Sequence, residues 1–328
     1  MLSKSEQMIE TLQEKVRKMK LSAVVWKVFR FAFLLGISYI FLFPVLYMIT
    51  IAFRSPEAVN DPSSVWIPRE ISLESIKYTM DMLKYWVSVK QTLIITVTST
   101  TAALISSSLV GYGFARFKFR EKNIMFMLLV LTIIVPPQTI AISSFMNFRF
   151  FDFFGLMKVL HTVMPGVPDH ISLIDTPWTF ILPSLFAAGL RSGLFVFIFR
   201  QFFQGMPKDL EEAAKIDGCN AFKTFVQIML PLAKPAIITV LLFSFIWHWN
   251  DFYLSATYYY TDMPISVMLN MVKSLLYDLG VIDHTNTPDQ IRTYLQAGSL
   301  LTILPPLLLY IVTQKFFTES IERTGIVG

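Results

Sequence analysis

The chain has 328 residues, 54% of them hydrophobic and only 16% charged, with 28 Lys and Arg against 23 Asp and Glu and a mean hydropathy of +0.55. A soluble domain needs about a quarter of its residues charged to cover its surface, so this composition excludes one and defines a polytopic membrane protein. The net charge of +5 is no nucleic-acid footprint, because the basic residues cluster beside apolar runs and make no Lys/Arg face interleaved with aromatics.

The N-terminal segment 1–23 is charged and weakly amphipathic, with Met8, Leu12, Val16 and Met19 on one helical stripe, a pattern suited to a membrane surface. The apolar run Val24 to Phe53 is too long for a signal-peptide core and lacks a small-residue cleavage pattern. It reads as a retained first span, with Pro44 as a kink. From Arg54 to Lys84 the chain turns polar, and Pro56, Pro62 and Pro68 leave room for one short helix at Ser72 to Leu83 in a first external segment. Val87 to Phe114 is the second span. Its Thr92, Thr96, Thr98 to Thr101 and Ser106 to Ser108 are small hydroxyl residues that allow close helix contact, so it should face other helices rather than lipid.

A basic turn follows at Arg116, Lys118, Arg120 and Lys122, and Ile124 to Phe145 makes a third span interrupted by Pro136 and Pro137. Such a pair frees backbone carbonyls that protein or a wet cavity must satisfy. Gln138 beside it is a cavity candidate, the alternative being a structural kink alone. Asn147 to Trp178 is external. The fourth span, Phe180 to Phe203, carries Arg191 near its middle, between Gly189 and Gly193. A charge there costs at least about 2.5 to 3.5 kcal/mol facing lipid, so Arg191 must face substrate, water or a structural counter-ion.

Gln204 to Pro235 is a polar island between apolar runs. Leu210, Ala213, Ala214 and Asp217 recur at helical spacing until Gly218 interrupts, and Phe222, Phe225, Val226 and Met229 start a second helical pattern, giving helix, turn, helix. Pro207 suits a first turn, and Asp209, Glu211 and Glu212 sit where the helix dipole favours anions. The fifth span, Ala236 to Tyr258, carries Trp247, His248, Trp249, Asn250 and Asp251 towards its far end. A third external segment, Thr261 to Arg292, leads to the sixth span, Leu295 to Phe317, with Pro305 and Pro306 midway, and to a tail, 318–328.

The side that holds both termini and the polar island has twice as many Lys and Arg residues as the other, so the positive-inside rule makes it cytoplasmic. The single cysteine, Cys219, excludes an internal disulfide or cysteine metal cluster and reads as a reduced thiol. No G-x-x-x-x-G-K-[ST] occurs, so the chain has no P-loop of its own and energy must come from a partner. H-E-x-x-H is absent, and Gly189-Leu190-Arg191-Ser192-Gly193 has its serine one place late for G-x-S-x-G. His161, Asp169 and His170 read as solvated loop residues rather than a metal site. The competing class is an ATP-independent secondary transporter or channel, but no internal repeat supports it.

Glu212-Ala213-Ala214, then Gly218, then Leu230-Pro231-Leu232-Ala233-Lys234-Pro235 resemble the EAA loop of ABC importer permeases. The flanks GLRSGLFVFIFRQFF and FSFIWHWNDFYLSATYY resemble the carbohydrate branch, in particular the smaller permease of maltose-type systems. The resemblance implies an all-α type I ABC importer permease fold with six transmembrane helices in 24–317. It implies that Glu211, Glu212, Ala213, Ala214, Asp217 and Gly218, within the coupling loop 204–235, dock on a separate ATPase. It implies a homologous second permease, two ATPase subunits that bind the ATP and magnesium, an extracellular solute-binding protein and a carbohydrate substrate, a non-sugar solute being the alternative. In that setting Trp247 and Trp249 can stack on a sugar ring and Asn250 and Asp251 can bond its hydroxyls, unless they form an interface belt with a helix-end cap. The tail residues Thr324, Gly325 and Gly328 resemble a segment that reaches the ATPase interface.

Overall fold

A computed structural model describes residues 4–55, 71–164, 166–281 and 288–325, whose regular structure is helical apart from one isolated antiparallel bridge between Phe151 and Ile171. Helix α1 (Lys4–Ala52) is one 49-residue rod that carries Pro44 without ending. From residue 4 onward the N-terminal segment is therefore continuous with the first span rather than a separate surface helix. Helix α2 (Glu74–Met82) is the expected short helix.

Helix α3 (Tyr85–Arg116) is the centre of the molecule. Its hydroxyl stripe turns inward as expected, with Thr92, Thr96, Ser99, Thr100 and Ser106 to Ser108 buried, whereas Thr98 and Thr101 face outward and donate to their own helix at Ile94 and Val97. Small size at Gly111 brings α3 against α8 (Ser192–Gly205), since a Cβ at Gly111 would lie 2.6 Å from the Phe199 Cβ.

The third span is two arms, α4 (Lys122–Ile134) and, beyond a 3₁₀ turn at Pro137–Ile140, α5 (Ala141–Arg149), bent by 97° at the proline pair. Short α6 (Leu156–Val163) follows. The fourth span differs from the sequence expectation. Phe180 to Phe203 is not one helix with a mid-bilayer charge but α7 (Trp178–Leu185) and α8, parted by a break in which Ala187 and Arg191 take left-handed φ values of 53° and 60°. Pro183 removes one donor from the last turn of α7, and Gly189 packs so tightly on Ser184 that no side chain fits there.

The polar island folds as α9 (Asp209–Ile216), α10 (Ala221–Thr224), a π turn at Phe225–Met229 and α11 (Leu230–Leu232), and then bends by 78° into α12 (Lys234–Asn250). Helices α13 (Tyr253–Tyr258), α14 (Ile265–Asn270), α15 (Val272–Asp278) and α16 (Pro288–Gly325) complete the chain. Thr324 and Gly325 continue α16 rather than starting a separate tail, and Gly328 lies outside the described residues. Three described helices are long and apolar enough to cross a membrane, or five if each bent pair counts once. The expected fourth span falls on α7 and α8, neither of which is long enough by itself to be counted among these.

Two cores hold the bundle. Near the start of α3, Leu83, Val89, Trp249, Ile265, Val272, Leu276 and Leu301 pack together. The segment from Thr261 is thus not merely a loop, because α14 and α15 fold back into this core. Near the end of α3, Tyr112, Phe195, Phe199, Phe203, Phe225 and Met229 form an aromatic-rich second core. Helix α1 stays outside both: Phe31, Ile40 and Phe41 are 67%, 69% and 77% exposed, which suits contact with lipid or another apolar helix.

Pro305 and Pro306 lie inside α16 and cannot donate to the carbonyls four residues back, Leu301 and Thr302. The Tyr85 hydroxyl donates to the Leu301 oxygen at 3.1 Å, and the Trp249 indole Nε1 donates to the Thr302 oxygen at 3.0 Å. Both donors are buried. Trp249→Phe keeps an aromatic ring at the site, though a smaller one, and orphans the Thr302 carbonyl, at a cost of about 1 to 3 kcal/mol for the lost bond. Thermal unfolding of the purified protein should start at a lower temperature in Trp249→Phe, and an unchanged midpoint would show that the bond contributes nothing net.

Candidate coupling element and translocation cavity

Helix α9 begins with Asp209, Glu211 and Glu212 in its first turn and has Lys215 in its last, each at the helix end its charge favours. The helix ends in a Schellman motif. Gly218 takes φ 78° and donates to the Lys215 carbonyl at 3.1 Å, while Cys219 donates to Ala214 at 2.9 Å. Asp217 is the residue just before this glycine. Asn220 then starts α10 by accepting from the Lys223 amide at 2.8 Å.

The two neighbouring glutamates do different work. The Glu211 Oε1 accepts from the Tyr112 hydroxyl at 2.9 Å and lies 3.3 Å from Arg116 Nε, and Arg116 Nη2 also donates to the Met206 carbonyl at 2.8 Å. The Arg116 and Glu211 side chains are only 7% and 15% exposed. Glu211 thus ties α9 to the end of α3. Glu212 and Ala213 are exposed, Ala214 is buried, and Ile216 and Phe222, on either side of the Gly218 turn, are 86% and 68% exposed. Tyr112, Arg116, Ile216 and Phe222 were not read as site residues from the sequence. A tyrosine and an arginine four residues apart at the C-terminal end of an apolar helix are the available signal for the anchor.

On the other side of α8 lies a cavity of about 650 Å³, walled by α4, α7, the α7–α8 break and α13. Leu128, Leu131, Phe148, Phe180, Pro183 and Leu254 make most of its wall, and Thr132, Ser144, Thr179, Ser192, Tyr258 and Arg191 supply its polar groups. Of the residues singled out in the sequence, the structure brings together Arg191 and Trp247: the guanidinium carbon sits 5.7 Å from the indole centroid. Trp247 also stacks on Phe195 and Phe243.

The others are placed elsewhere. Gln138 is exposed in the 3₁₀ turn, while its neighbours Pro137 and Ile140 line the cavity. Trp249 is fully buried in the core around α16, with its N–H engaged there. Asn250 donates back to the Ile246 carbonyl at 2.9 Å. Asp251 Oδ2 accepts from the Ser255 amide at 2.8 Å and its hydroxyl at 3.0 Å, which makes Asp251 a cap for α13. The loop histidines do not converge: His161 Nδ1 donates to the Val167 carbonyl, while His170 pairs with Asp169 at 2.8 Å, and this hydrogen bond holds the Asp169 carboxyl below its usual range.

An anchored helix with an exposed outer side thus lies at one end of α8 and a cavity at the other. The family described as binding-protein-dependent transport system inner membrane component matches residues 103–318, and the chain belongs to it. It is 29% identical over 305 residues to the polygalacturonan/rhamnogalacturonan transport system permease protein YtcP of Bacillus subtilis, covering 91% of this chain and 96% of that one. It is 27% identical over 295 residues to the arabinooligosaccharides transport system permease protein AraQ of Halalkalibacterium halodurans, covering 89% and 93%. A chain in the crystal structure of a bacterial ABC transporter involved in the import of the acidic polysaccharide alginate shares the fold, with a TM-score of 0.63, 21% identity and coverage of 97% of this chain and 99% of that one. The protein is therefore an all-α, multi-pass membrane permease of the type I ABC importer fold.

Removing one partner of a buried ion pair costs about 3 to 5 kcal/mol, so Glu211→Ala should loosen α9 from α3. Trypsin cleavage after Lys208, Lys215 and Lys223 should accelerate in Glu211→Ala and stay at the parental rate in Glu212→Ala. Equal rates in the two variants would remove the distinction drawn between these glutamates.

Proposed function

We propose that this chain is one permease subunit of an ATP-driven importer that takes a sugar or oligosaccharide from a solute-binding protein and moves it inward by alternating access. It pairs with a homologous permease, and two separate ATPase subunits bind the nucleotide and magnesium. The observation that supports the reading most is the arrangement around α9: Glu211 fixes the helix to α3, and the outward side offers Glu212, Ala213, Ile216 and Phe222 to a partner.

Glu212 can meet an Arg or Lys of the ATPase, and the exposed Ile216 and Phe222 can fill an apolar cleft around that pair. Ala213 keeps the helix surface low enough for close approach. Gly218 sets the turn between the two contact helices, and Asp217 leads into it. Force on α9 reaches the membrane by two routes, through Glu211 into α3 and through Met206 into α8. Helix α8 has 14 residues and so spans about 21 Å from the coupling element to the cavity. Thr324, Gly325 and Gly328, at the end of the chain, are proposed to touch the same ATPase. A channel or ion-coupled carrier would leave an anchored, outward-facing amphipathic helix without a role.

Both termini and α9 are proposed to be cytoplasmic. Cys219 should then react in intact cells with a permeant maleimide and be shielded from an impermeant one, and equal labelling by both from outside would reverse the orientation. For coupling, Glu212→Lys should leave insertion intact while lowering ATP-dependent uptake per assembled complex by at least about tenfold. A lost partner in a hydrogen-bonded interfacial charge pair costs roughly 2 to 5 kcal/mol, which is the scale of that loss. Near-normal uptake by Glu212→Lys would eliminate the charge-pair mechanism, and rescue by an acidic residue introduced on the ATPase would identify its partner.

A further inference from the structure

We propose that the cavity selects anionic saccharides, with the Arg191 guanidinium binding the carboxylate of a uronate unit. This rests on the importer reading above and narrows its substrate class. Arg191 is the single charged side chain in the cavity wall, and no Asp or Glu lines it. Among the described residues no carboxylate lies within ion-pair distance of Arg191, whose ring neighbour is Trp247. The Arg191 side chain is exposed, so its guanidinium can meet a ligand.

A cation without a counter-ion among apolar walls is a costly arrangement in a membrane protein, and an anionic ligand relieves it. The planar fork matches a carboxylate with two parallel N–H donors, which a neutral sugar hydroxyl cannot reproduce. The cation is also held in place. Arg191 sits at φ 60°, an unfavourable backbone for a side-chain-bearing residue, and the glycines two positions to either side fix the break that presents it. A Cβ at Gly189 would collide with Ser184, and one at Gly193 would lie 2.5 Å from Thr132 Oγ1 and 3.1 Å from the Leu129 carbonyl of α4.

A second observation points the same way. Ser192, next to Arg191 in the cavity wall, is 1% exposed, and its hydroxyl has no hydrogen-bond partner among the described residues. It stands at the first turn of α8, where the helix dipole also favours negative charge. The Trp247 ring, itself stacked between aromatic neighbours Phe195 and Phe243, supports the guanidinium from behind the cavity wall.

The test is equilibrium binding to the purified, fully assembled membrane complex without its solute-binding protein, using matched probes. Trigalacturonate and trimannuronate are each compared with their fully methyl-esterified, neutral forms. The parental complex should bind at least one acid more tightly than its ester. Arg191→Gln should weaken acid binding roughly 10- to 100-fold, the range for hydrogen bonds to a charged group, and leave ester binding unchanged. Arg191→Lys should retain part of the preference, and both variants should elute as intact complexes on gel filtration. If the parental complex binds neither acid, or binds acid and ester alike, the proposal is overturned. It is also overturned if Arg191→Gln weakens acid and ester equally or dissociates the complex, as expected of a cation paired with an acid on the second permease. ATP-dependent uptake of a neutral oligosaccharide separates the two readings. Its persistence after any of those failures leaves the importer reading standing, and absence of ATP dependence for every saccharide tested removes the importer reading itself.

Discussion

Inside a bilayer no water is present to satisfy a broken backbone hydrogen bond, and this constraint decides much of what is seen here. The chain nonetheless puts prolines in several of its apolar segments, and each one strips a carbonyl of its helical donor. In α16 the two freed carbonyls are met by Tyr85 of α3 and Trp249 of α12. One proline pair thereby ties three helices to one another, because the two freed carbonyls are met by polar tips from elsewhere. Ser106 does related work at the end of α7, where its hydroxyl donates to the Ser184 carbonyl at 2.6 Å. Part of the hydroxyl stripe of α3 meets the same need: Thr100 accepts from Ser244 of α12, and Thr92 accepts from the Ile265 amide at the start of α14.

Where the freed groups lie at a cavity instead of a helix contact, the chain bends. The proline pair after α4 turns its arms by 97°, and the break before α8 turns the chain with left-handed residues. These two breaks form opposite walls of the same cavity. The left-handed break before α8 therefore lies at the cavity, while the aromatic core around Phe195, Phe199 and Phe203 is built on the regular turns of α8, with the π turn at Phe225–Met229 packed against it.

Much of this was legible in the chain. The long apolar helices α1, α3 and α16, the short helix α2, the inward hydroxyl face of α3 and the helix, turn, helix of the polar island follow from hydropathy and helical period, which are local properties. The left-handed Gly218 was readable because a glycine ending a helical pattern has few other uses. What was not legible depended on pairing across distance. Glu211 and Glu212 are adjacent acids with the same local surroundings, and only the approach of Tyr112 and Arg116 from α3 separates anchor from outward face. Trp247 and Trp249 are two residues apart on α12, so they point to different sides of one helix, one beside Arg191 and one into the α16 core. The break at Arg191 was hidden because two glycines around a charge in an apolar run also suit a continuous packed helix, and nothing local marks Ala187 or Arg191 as left-handed.

Transmission between the two halves of the site depends on how little α3 and α8 can slide. At Gly111 the helices meet with room for no additional methyl group, and Phe199 and Phe203 of α8 pack with Tyr112 of α3 on the same face. Interlocked surfaces of this kind resist small displacements and move as a body, because a shift of even a fraction of an ångström creates overlap. The hydroxyl that anchors α9 belongs to that same Tyr112, so its ring is fixed in the interface while its oxygen holds Glu211. Under the proposed coupling role, a displacement of α9 would bear on both helices at once. Since the far end of α8 is the break that carries Arg191, the proposed coupling helix and the side chain facing the cavity sit at opposite ends of one helix.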